Sequence, residues 1–123
     1  MPEPNWVVRG GIATPNQLQT GTGRHRGVAD PPGLIGFSVQ SQPGKTIEEL
    51  AVAGRFRNAQ ISFSTVEELI AAGAAAGYAI TIVKSPGAGY HHTVRVPSPV
   101  PTDLAAALSR VFRQVPHPAR IID

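Results

Sequence analysis

The chain contains no cysteine. That absence excludes a disulfide framework, a thiolate metal site and a cysteine nucleophile, and it makes a reducing, cytoplasmic compartment the expected home. Long apolar runs are also missing. No stretch approaches the roughly 18 residues that a membrane-spanning helix needs. Met1-Pro2-Glu3-Pro4-Asn5 has neither the basic nor the apolar region of a signal peptide. No membrane partner is expected.

What is present is modest in size and basic in balance. The 123 residues carry a formal net charge of +3. One domain, 1–123, fits this length, with a surface tail expected over 114–123. A chain of this size buries roughly two-thirds of its unfolded surface, enough for a core without staples. The charge permits a phosphate-bearing or nucleic-acid ligand without requiring one. Thirteen glycines and twelve prolines cluster between the apolar segments and punctuate loops.

Local patterning sets out the elements. Trp6-Val7-Val8-Arg9 reads as a strand ended by Gly10-Gly11. Thr14 and Pro15 form a helix start, Thr as cap and Pro at the first helical position. The second strand is expected over Leu34 to Val39, with Ile35, Phe37 and Val39 on one face. Thr46 and Glu49 have capping-box spacing, as do Thr65 and Glu68. The segments TIEELAVAG and TVEELIAAG match at most positions, 19 residues apart. Two helices started by the same chemistry explain them without a repeat architecture.

Ala59 to Phe63, Tyr78 to Val83 and Tyr90 to Val96 read as further strands. Lys84 to Gly89 is a hairpin turn, and a last helix is expected from Thr102 to about Arg113. The order β-α-β-α-β-α-β-β-α, with one hairpin, argues for an α+β fold. About five mixed or antiparallel strands should carry three or four short helices.

The most suggestive polar segment is Tyr90-His91-His92-Thr93-Val94-Arg95. Alternation sends His91, Thr93 and Arg95 to one face, and Tyr90, His92 and Val94 to the other. The first face lines up a titratable ring, a hydroxyl and a fixed cation, a set able to hold and protonate a phosphodiester or diphosphate. A solvated strand face would look the same, and His92 reads as a core histidine. The paired imidazoles point apart, with no carboxylate near them in sequence, so no metal site is expected. Arg9, beside Gly10, suits an anionic ligand. Arg24-His25-Arg26 forms a basic cluster in a glycine-flanked loop. The early acidic residues of the helices, Asp103 included, complement helix dipoles.

Trp6-Val7-Val8-Arg9-Gly10, the Pro15-to-Gly21 helix and Ser62-Phe63-Ser64-Thr65 together resemble the ADP-ribosyltransferase fold of bacterial toxins and effectors. The resemblance spans about a fifth of the chain. In that family a first strand ends in an arginine that binds NAD, and a later strand carries a serine motif supporting the nicotinamide pocket. The resemblance implies NAD as cofactor or substrate, with Arg9 and Ser62 as its contacts. With NAD as the ligand, Arg9, Ser62 and either His91 or Tyr90 should line one cleft, and Gly10 and Tyr90 join the candidate NAD contacts. The family's catalytic glutamate has no counterpart, since no glutamate follows Glu68. The alternative is a metal-independent ribonuclease of the small toxin type, with His91, Thr93 and Arg95 acting on RNA. A third reading is a non-catalytic module that recognises a protein target or cognate inhibitor.

Overall fold

The computed structural model describes residues 4–21, 36–54, 59–84, 89–97 and 100–116. Arg24, His25, Arg26, Leu34 and Ile35 lie outside them. The elements run β1 (Trp6–Gly10), α1 (Pro15–Gly21), β2 (Gly36–Ser41), α2 (Ile47–Gly54), β3 (Gln60–Thr65), α3 (Val66–Ala75), β4 (Thr81–Lys84), β5 (His91–Arg95), α4 (Thr102–Arg110) and β6 (Arg113–Pro116).

The helix starts are made by the caps the sequence announces. The Thr14 hydroxyl accepts from the Gln17 N–H at 3.1 Å. Thr46 and Glu49 close a full capping box, each side chain accepting from the other's backbone N–H. Thr65 accepts from the Glu68 N–H at 3.0 Å. Each cap satisfies a donor that the first helical turn would otherwise leave without a partner.

The six strands form one sheet in the order β4-β5-β2-β1-β3-β6, and every neighbouring pair is antiparallel. This is an α+β architecture, as the patterning implies. β4 and β5 pair antiparallel, as expected, and residues 85–88 of the expected turn lie outside the described residues. One element departs from the sequence reading. Residues 113–116, expected to close the last helix and open the tail, form β6 and pair with β3.

Alternation along each strand divides the core between two faces. Val7, Phe37, Val39 and Val94 meet Leu18 of α1, Leu69 of α3, and Leu104 and Leu108 of α4. On the opposite face Val8 and Ile61 meet Leu50 and Ala51 of α2. Among the described residues, three helices therefore cover one side of the sheet and one helix covers the other. Burial of these side chains, at roughly 1.5–3 kcal/mol each, supplies the main favourable term of folding.

Candidate functional site

The β1–β2 ladder among the described residues runs through Val7↔Ser41 and Val8↔Gln40. Beyond it, Arg9 and Gly10 stay paired with Ser62 and Ile61 of β3, while Gly36 to Val39 stay paired with β5. Arg9 stands where the two halves of the sheet part. Its Nη1 donates to the Ser38 carbonyl at 3.3 Å, and its Nη2 to the Gln17 carbonyl of α1 at 3.5 Å. The guanidinium carbon lies 5.4 Å from the centroid of the Phe37 ring, on which the cation rests. Both hydrogen bonds are long, at the weak end of the useful range.

Ser62 is the in-register neighbour of Arg9 on the same face. It is wholly buried. Its hydroxyl donates to the Gly11 carbonyl at 2.7 Å and accepts from the Ala13 N–H at 3.1 Å. Gly11 itself has φ +77, and its N–H donates to the Gln60 carbonyl. Ser62 thus pins the connection between Arg9 and α1. Its burial makes it a support for the arginine and not a ligand contact, a change from the role that the resemblance implies. Gly10 pairs with Ile61 and gives the strand end no side chain.

The other candidates divide between faces. His91 pairs with Gln40 and Thr93 with Ser38, and Gln40 pairs in turn with Val8. These register pairs set His91, Thr93 and Arg95 on the α2 face, opposite Arg9. The single cleft lined by Arg9, Ser62 and His91 is therefore not formed, because the sheet lies between. Ser38 touches both sides. Its carbonyl receives Arg9, and its hydroxyl is in hydrogen-bond contact with His91 Nε2. Thr93 is 1% exposed, so its hydroxyl does not reach a bound substrate, whereas Arg95 is exposed.

Tyr90 also separates from Arg9. Its ring packs on the α2 cluster, with Lys45 Nζ 5.6 Å from its centroid. Its carbonyl meets the Ser41 N–H at 2.8 Å and His92 Nδ1 at 2.9 Å. His92, read from sequence as a core histidine, is half-buried on the Arg9 face, where it pairs with Val39. Alternation shows that the two histidines oppose each other. Only the pairing of β5 with β2 and β2 with β1 tells which one shares a face with the arginine.

Among the described residues no group of three or more His, Cys, Asp or Glu side chains is placed to hold a metal ion. A groove of about 410 Å³ lies between α3 and α4, lined by Ala72, Ala76, Asp103, Ala107 and Arg110. None of the candidate residues lines it. Tyr78 donates to Asp103 at 3.1 Å near this groove. Burial first, and then that carboxylate, raise the phenol above its ordinary range.

No family model, curated protein or solved structure matches the chain.

Proposed function

We propose that this chain is a small toxin- or effector-like domain of ADP-ribosyltransferase type that binds NAD and acts in the cytoplasm. One observation carries the reading. Arg9, at the end of the first strand, is in register with Ser62 of the serine motif, on one face, where β1 leaves β2. Residues 53 positions apart in the chain, the two that the resemblance singles out, are neighbours. Ser62 fixes the loop that carries the chain from Arg9 into α1, so the guanidinium is held on a rigid frame. Two of its bonds run to neutral carbonyls at long range. A diphosphate offers it shorter, charge-assisted and bidentate bonds in their place.

Isothermal titration with NAD tests this. The expected result is saturable binding at or below millimolar NAD, weakened at least tenfold in Arg9→Lys, which keeps the charge but loses the fork. No heat at millimolar NAD overturns the reading.

A second reading rests on the other face. The Ser38 hydroxyl orients His91, and the exposed Arg95 stands four residues along the same strand, on the same face. An imidazole and a cation so placed suit metal-independent cleavage of RNA. Loss of RNA cleavage in His91→Ala with an unchanged melting temperature supports it, and absence of cleavage by the wild-type chain removes it.

A further inference from the structure

The strand registers set out two short rows on the face that bears Arg9, one on either side of the point where β1 leaves β2. Lys84 of β4 pairs with His92 of β5, and His92 pairs with Val39 of β2. Val39 precedes Gln40, which pairs with Val8, so Val39 is next in line to Arg9 of β1. Arg9 pairs with Ser62 of β3, and Ser62 with Gln114 of β6. Within these rows Val39 and Ser62 are buried, while Arg9 and His92 are half-buried. Two strand spacings set the least separation of the Arg9 and His92 Cα atoms, roughly 10 Å. Both side chains are long enough to meet a ligand that spans that interval.

The imidazole has a defined polarity. Its Nδ1 lies 2.9 Å from the Tyr90 carbonyl. A carbonyl oxygen only accepts, so the hydrogen of this bond sits on Nδ1. In the neutral ring Nε2 is then a lone-pair acceptor. The Tyr90 carbonyl also receives the Ser41 N–H, which fixes that oxygen and with it the plane in which the ring is held.

We propose that His92, and not His91, is the catalytic base of the Arg9 site. This rests on the NAD reading above. Arg9 takes the diphosphate, and Nε2 of His92 faces the nicotinamide ribose. In the transfer step the C1′–N bond breaks, and its electron pair leaves with nicotinamide, which departs neutral. A hydroxyl oxygen of water or of an acceptor forms the new C1′–O bond and gives its proton to Nε2. No oxidant or reductant enters. The missing glutamate is thereby replaced by a group that removes a proton in place of one that stabilises positive charge.

The test joins NAD titration, nicotinamide release and nitrogen-15 NMR of the imidazoles. The expected result is NAD affinity within threefold of wild type in His92→Ala, with nicotinamide release reduced at least a hundredfold. NAD should also shift the Nε2 resonance of His92 and leave that of His91 in place. His92→Gln serves if the alanine variant does not fold, and the NMR readout needs no variant. Release within threefold of wild type in either variant, or an unmoved His92 resonance at saturating NAD, overturns the role of His92 and leaves the NAD reading standing. A wild-type chain that binds NAD without releasing nicotinamide also overturns it. A wild-type chain that binds no NAD defeats the NAD reading, and the assignment falls with it.

Discussion

The Ser62 hydroxyl stands between two backbone groups of the loop after Arg9, donating to Gly11 and accepting from Ala13. Ser62→Ala removes both bonds at once and leaves a carbonyl and an N–H in a buried position without their partner. The cost expected is about 1–3 kcal/mol. That corresponds to a melting temperature lower by roughly 4 °C per kcal/mol. Scanning calorimetry reads it directly. An unchanged melting temperature would mean that the loop is held by other contacts.

Gly36 is required for a different reason. A Cβ built there would lie 2.0 Å from the Val94 carbonyl oxygen and 2.8 Å from Thr93 Cγ2. Backbone is the obstacle, so a rotamer change does not relieve it. Gly36→Ala is expected to push the start of β2 away from β5, at about 1–3 kcal/mol. Faster amide exchange at Val94 and Arg95, with β1–β3 amides unaffected, is the specific signature. Uniform exchange across the sheet would contradict it.

Leu50 tests the thinner of the two cores. It is wholly buried against Val8 and Ile61, with Ala51 as its neighbour on α2. Trp6, Ile47, Phe63, Tyr90 and Val115 pack around this cluster. Leu50→Ala is expected to cost about 2–5 kcal/mol. Urea unfolding with an unchanged m-value would report it as loss of stability.

These positions show what one-dimensional information can and cannot convey. The caps at Thr14, Thr46 and Thr65 were legible because a cap is a contact over three residues. The facing of Phe37 with Val39, and of Ile61 with Phe63, was legible because alternation is local. β6 was not. Arg113-Gln114-Val115-Pro116 carries one half-buried apolar residue and a proline, and its partner β3 lies some 50 residues earlier. The site divides in the same way. Arg9 and Ser62 stood out by residue type and strand position. The choice between His91 and His92 did not, because it depends on two strand pairings of long sequence separation. Ser38 carried no signal at all, since its carbonyl and its hydroxyl act on residues 29 and 53 positions away.

The edge strand β6 is tied down by charge, and that makes its stability depend on acid. Arg113 donates to Glu68 at 2.6 Å, and its guanidinium lies 5.3 Å from the Phe63 centroid. The Arg113 hydrogen bond first, and then that of Thr65, hold the Glu68 carboxyl below its ordinary range against an opposing desolvation effect. A carboxylate depressed in the folded state binds fewer protons there than in the unfolded chain. Its stabilisation is therefore complete above the ordinary carboxylate value and is lost as pH falls through the folded value. Both side chains are more than a third exposed, so solvent screens the pair and the effect is modest. Arg113→Gln should lower stability at neutral pH, flatten the acid limb of the stability curve, and speed amide exchange across β6. Salt should shrink the difference between the two proteins. An acid limb equally steep in the variant would show that Glu68 titrates without reference to Arg113, and that β6 is held by its ladder to β3 alone.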